Sequence, residues 1–147
     1  PAQLSRMKDL GLVASMQPNF LQWSGPGKLY EERLGPARDS RIDPHRWVLD
    51  QGIPLAFGSD GMPIGPLYGI GLALDPPHPV QKVTVEEALN AYTKGSAYAA
   101  FAEDEVGEIA AGKWADLVVL SADPRKVPWT EIKVEAAFVA GELVFSR

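Results

Sequence analysis

The chain has 147 residues, a net charge of −5 and no cysteine. The length allows one domain, or one domain with a small appendage. The acidic balance, with no Lys/Arg cluster, argues against nucleic acid as a partner. The absence of thiols excludes disulfides, thiolate metal sites and cysteine nucleophiles. Hydrophobic residues make up 46% and charged residues 22%, ordinary for a soluble globular chain. No apolar run approaches the roughly 20 residues of a membrane helix. Pro1 to Leu10 lacks the basic region and apolar core of a signal peptide, and without cysteine the cytosol is the expected compartment. There is no initiator Met, and an internal piece of a longer protein is expected.

In chain order, Leu4, Met7 and Leu10 recur at helical spacing and Gly11 stops them. Leu12 to Met16 reads as a short buried strand that meets Gln17-Pro18. Asn19 to Gly27 is a polar, aromatic loop, and Lys28 to Leu34 makes a short helix before Gly35-Pro36. Asp43-Pro44 opens the next helix, with Asp43 as cap and Pro44 at the first position, running through Trp47 to Gly52. Ile53 to Phe57 is a second buried strand, followed by Gly58-Ser59-Asp60-Gly61. Residues 62–79 are rich in Pro and Gly, with one helical turn near Ile70 to Leu74. Thr84-Val85-Glu86-Glu87 is a capping box, and Val85, Ala88, Leu89 and Tyr92 then share a face. Gly95 breaks or bends this helix, and Ala97 to Ala102 resumes it. Beyond Glu105 the pattern changes. Val106 to Ile109, Ala115 to Leu120, Val134 to Val139 and Leu143 to Phe145 read as strands, with turn signals at Gly112-Lys113 and Ala140-Gly141.

The order is a β/α alternation over residues 1–105 and a small antiparallel β element over 106–147. Two parallel strands leave unpaired edges and uncovered apolar helix faces. The first part therefore reads as the end of a larger β/α architecture.

Asp60 is the sharpest candidate for chemistry. It follows a buried strand, and in β/α barrels the catalytic groups lie at the C-terminal ends of strands. Its plainer reading is a carboxylate capping the next turn. Gln17 ends the other strand and is either a site residue or an amide satisfying an edge. Tyr68 lines a pocket or is simply buried. His78, in Pro76-Pro77-His78-Pro79, lies in the loop after the Asp60 strand, where a substrate contact would sit. His45 lacks a partner at ligand spacing and reads as a surface or helix-start histidine. The Glu31-Glu32 and Glu86-Glu87 pairs read as solvated helix faces.

Two stretches are more specific: Gly52-Ile53-Pro54-Leu55-Ala56-Phe57-Gly58-Ser59-Asp60, and Gly107-Glu108-Ile109-Ala110-Ala111-Gly112-Lys113-Trp114-Ala115-Asp116-Leu117-Val118-Val119-Leu120. With Thr84 to Leu89 and Tyr92-Thr93 between them, they resemble the amidohydrolase superfamily, in particular amidohydrolase family 3. The resemblance runs from about Leu10 to Phe145.

The resemblance implies an α/β fold: the C-terminal portion of a (β/α)8 TIM-like barrel plus strands of a small composite β-sandwich. It makes Leu12 to Met16 and Ile53 to Phe57 the last two barrel strands. It implies that Asp60 is the catalytic proton shuttle and a metal ligand, and that Asp116 is structural. It implies a divalent metal, zinc by expectation, in the complete enzyme. The remaining ligands have no counterpart here, so none is expected in the isolated chain. The implied activity is hydrolysis of linear or cyclic non-peptide C–N bonds in a small-molecule substrate, with Gln17, Tyr68 and His78 as candidate substrate contacts. The expected protein partner is a missing N-terminal half, or a second copy. A deaminase of the same superfamily, or a non-enzymatic α/β interaction module, is the alternative.

Overall fold

The computed structural model describes residues 2–61 and 63–147. Helix α1 (Ala2–Asp9) carries Leu4 and Met7 onto the core. It ends in a left-handed Gly11, whose N–H reaches Lys8 O while that of Leu12 reaches Met7 O. This pair of bonds satisfies two carbonyls at the helix end and turns the chain into the first strand.

Strands β1 (Ala14–Met16) and β2 (Leu55–Phe57) pair in parallel, with Ala14 opposite Leu55 and Met16 opposite Phe57. All three β2 residues are buried, as a parallel strand covered on both faces requires. The connection between them holds a 3₁₀ turn (Pro18–Trp23) and three short helices: α2 (Leu29–Leu34), α3 (Pro36–Asp39) and α4 (His45–Asp50). Asp43 does not cap α4 as its sequence position suggests. It sits at a positive φ of 44°, Pro44 takes the cap position, and no side chain bonds the first turn.

After β2, α5 (Pro66–Leu74) is longer than the single turn expected, because Pro66 starts it at a favourable position. It packs along the 3₁₀ turn. The Thr84 box forms as read: Thr84 Oγ1 accepts from Glu87 N and Glu87 Oε2 accepts from Thr84 N. Helix α6 (Val85–Asn90) follows, and Val85, Ala88, Leu89 and Tyr92 all reach the core. The helix then widens into a π turn (Ala91–Gly95) before α7 (Ser96–Ala99). Gly95 is where this turn touches β2. A Cβ there would overlap the carbonyl of Leu55, so the absence of a side chain sets the helix directly on the strand.

Val106 to Ile109 is not a strand. The segment curls around Lys113, whose Nζ donates to Glu103 O and Glu108 Oε1, and Trp114 N donates to Glu105 O. Strands β3 (Leu117–Leu120), β4 (Val134–Val139) and β5 (Glu142–Ser146) form an antiparallel sheet in that order. The β4–β5 turn uses two left-handed residues, Ala140 and Gly141, the geometry that tight hairpins need. Asp116 Oδ1 accepts from Ala140 N at 2.7 Å, which holds that turn. Every residue of β5 is exposed. The core lies instead around β1 and β2, with Leu21, Val48, Ile53, Ile70 and Ala88, and Trp129 and Ile132 joining from the segment before β4.

Candidate functional site

The ladder between the parallel strands runs one residue past β2, since Gly58 N still donates to Met16 O at 3.0 Å. The chain then turns sharply. Asp60 takes a left-handed φ of 53°, a conformation that Asp tolerates better than most residues. Gly61 N donates to Asp60 Oδ1 at 2.7 Å. Asp60 is exposed, and among the described residues nothing bonds its Oδ2. The carboxylate thus steadies its own turn with one oxygen and leaves the other open at the strand's C-terminal end.

The loop after Asp60 is held by a residue that the sequence pattern did not single out. Asn19 is fully buried; its Nδ2 donates to Pro63 O at 2.6 Å and more distantly to Gly65 O, and its Oδ1 accepts from Tyr92 Oη at 3.1 Å. A Cβ on Gly69 would strike both Asn19 Oδ1 and Tyr92 Oη. A glycine inside α5 was the one legible sign of this close approach. Burial pushes the Tyr92 phenol up to about 12, so it remains a donor at ordinary pH.

The other expected site residues stand elsewhere. Gln17 is half-buried at the end of β1. Tyr68 is exposed rather than buried, and its hydroxyl donates to Gln22 Oε1 at 3.2 Å. It does line a cavity of about 620 Å³, with Leu67, Leu72 and Trp129; Asp60 is not among that cavity's lining residues. Among the described residues no hydrogen bond or ion pair joins Asp60 to Gln17, Tyr68 or His78.

His78 belongs to a buried polar knot. Its Nε2 lies 2.9 Å from Asp39 Oδ2. Asp39 also accepts from Ser24 Oγ at 2.8 Å and Gly25 N at 2.9 Å. Gln81 Nε2 donates to Ser24 Oγ and Ile42 O. Burial raises the Asp39 carboxyl, but the bonds from His78, Ser24 and Gly25 outweigh it and hold it below the usual carboxylate range. Ser24 donates to Asp39 and not to a histidine, so the knot activates no nucleophile.

His45 is not a surface residue: it is fully buried. Its Nδ1 lies 3.0 Å from Gln81 O, so Nδ1 carries the proton, and its ring sits edge-on to Phe57 at 4.9 Å. Burial lowers its pKa to about 4 despite the Gln81 carbonyl. Nearby, burial and then the Asp39 charge push Asp43 up to about 6. Glu87 departs from a solvated face as well, since Arg46 Nη1 lies 2.9 Å from both of its oxygens.

A catalytic zinc takes about three protein ligands. Among the described residues no group of three or more His, Asp or Glu is arranged to hold a metal ion.

Residues 1–145 match the model of the family described as the amidohydrolase family. N-substituted formamide deformylase of Arthrobacter pascens is 31% identical over 99% of this chain and 29% of its own length. Imidazolonepropionase of Bdellovibrio bacteriovorus is 28% identical over 74% of the chain and 25% of its own. Among solved structures, a metal-dependent hydrolase from Pyrococcus furiosus superposes with a TM-score of 0.71 at 30% identity, over 85% of this chain and 26% of that one. The chain therefore spans about 30% or less of the length of these relatives. No helix among the described residues is long and apolar enough to cross a membrane. With its match running almost end to end, the chain belongs to the amidohydrolase family.

Proposed function

We propose that this chain is the C-terminal part of a metal-dependent amidohydrolase that opens linear or cyclic non-peptide C–N bonds in small molecules. In this reading residues 1–105 complete a β/α barrel and residues 106–147 complete a small sandwich. The observation that carries it is Asp60: an exposed carboxylate at the C-terminal end of a buried parallel strand, with one oxygen unbonded among the described residues. Barrel enzymes place their chemistry at that end. The two-stranded parallel sheet, with both outer edges unpaired among the described residues, supports the barrel. The names of the deformylase and of the Pyrococcus furiosus hydrolase support the bond class and the metal.

A bound divalent metal, zinc in this proposal, makes hydroxide available by lowering the pKa of a water to near 7. Asp60 would be one ligand to it, the others coming from outside this chain. With the metal bound, the second oxygen of Asp60 would accept the water's proton and pass it to the departing amine. The isolated chain, with one such carboxylate, should be inactive, and dialysed chain should retain well under one equivalent of metal.

The test is Asp60→Asn in the longer protein that contains this chain. The assay uses a panel of N-substituted formamides, cyclic amides and imidazolones. Turnover of the best substrate should fall by at least about 10²-fold, the low end of acid–base effects. Near-normal turnover sinks the assignment.

A further inference from the structure

The loop that carries Asp60 is anchored at both ends. At its start, the Gly58–Met16 bond continues the strand ladder. Past Asp60, Pro63 and Gly65 lie outside any strand or helix, and their carbonyls face Asn19 Nδ2. Asn19 is dry, so its amide must be satisfied and is directional. Tyr92 takes its other side, and the Tyr92 ring packs edge-on to Phe57 at 5.4 Å. Phe57 is the last residue of β2. The clamp therefore refers the loop back to the strand from which Asp60 emerges.

We propose that Asn19 is a positioning residue for Asp60: with Tyr92 behind it, it fixes the carbonyls of Pro63 and Gly65 and so the direction in which the open carboxylate oxygen points. This rests on the reading of Asp60 given above. An apolar residue would fill the space beside Gly69 without needing three polar partners, and a buried amide that has them specifies one loop geometry.

Two measurements test it. The first is hydrogen exchange, resolved by segment, on the full chain and its Asn19→Ala and Tyr92→Phe variants. Faster exchange confined to residues 58–67, with β2 and α6 unchanged, is expected. Equal acceleration everywhere, or none, overturns the proposal. The second is kinetics of the longer enzyme on the best amide of the panel. Asn19→Ala should lower kcat by about 10- to 100-fold with little change in KM, since a displacement of about 1 Å costs that much. Added to Asp60→Asn, it should cause no further loss. Losses that multiply, or a loss wholly in KM, overturn the role of Asn19 and leave that of Asp60 standing. Normal turnover by Asp60→Asn removes the Asp60 reading, while the exchange result still decides whether Asn19 holds the loop. Should Asn19→Ala not melt cooperatively, Tyr92→Phe keeps its ring on Phe57 and decides on the same outcomes. If Asp60→Asn falls below detection, the kcat-against-KM split decides.

Discussion

His78 Nε2 and Asp39 Oδ2, 39 residues apart in sequence, stand 2.9 Å apart across a carboxylate that is 1% exposed. Asp39 accepts from Ser24 and Gly25 as well, and leaving buried donors without an acceptor costs about 1–3 kcal/mol. Asp39→Asn should therefore destabilise the chain at pH 7. A carboxyl held below its ordinary value contributes stability that is present above about pH 4 and lost as pH falls through its lowered value. The deficit of Asp39→Asn should shrink below about pH 4. Urea titrations between pH 3 and 7 measure it, and a deficit constant over that range contradicts the account.

Asp43 behaves in the opposite sense. Burial, and then Asp39, raise its pKa to about 6. Its ionised form then costs stability, in full above about pH 6 and not at all below its ordinary value near 4. Asn removes the charge and tolerates the positive φ at this position. Asp43→Asn should raise the melting temperature at pH 7, with a gain that fades as pH falls from 6 to 4. A lower melting temperature at pH 7 would refute this.

Two glycines inside helical segments should respond to the same substitution with opposite signs. Ala exceeds Gly in helices by about 1 kcal/mol. At Gly71 a Cβ meets Trp129 Cβ at an ordinary 3.7 Å, so Gly71→Ala should stabilise. At Gly95 it overlaps the backbone of Leu55, which cannot step aside. Gly95→Ala should cost about 1–3 kcal/mol, the range for overpacking. Denaturant midpoints of both variants decide it.

What the sequence made legible, and what it hid, follows from range. The Thr84 box is a four-residue device, and it forms as read. Leu12 to Met16 and Ile53 to Phe57 contain the paired strands because apolar runs report burial directly. The place of Asp60 just past β2 was legible because a strand end is a local event. The Asn19 clamp spans 44 residues to Pro63 and 73 to Tyr92, and the Asp39 knot 39 residues to His78. No periodicity encodes a polar contact at such distance. His45 was misplaced at the surface for the same reason, since its partner Gln81 lies 36 residues on. Val106 to Ile109 has strand composition but no ladder, because Lys113 bonds Glu103 before it and Glu108 within it.

The antiparallel sheet yields the last prediction. Val118, Leu143, Val144 and Phe145 are 57%, 57%, 60% and 47% exposed, and β3 and β5 are both open edges. Contiguous apolar surface and free strand edges recruit other chains. The isolated chain should self-associate in light scattering, with mass rising with concentration. Lys at Val144 and Phe145 should reduce it. A monomer at all concentrations would mean that this surface needs no cover.

The π turn at Ala91–Gly95 bears on which length changes the chain can accept. It holds one residue more than regular winding uses, and the single Ser96 hydroxyl proton is shared between Ala91 O, across the widened ring, and Phe57 O. Deleting one residue between 91 and 95 would restore ordinary winding, yet it would swing everything beyond by about 100°. Ser96 would leave Phe57, and Gly95 would no longer face Leu55. The count of residues here is thus more constrained than their identity, the reverse of a surface loop such as 121–128, where an inserted residue has open solvent to enter.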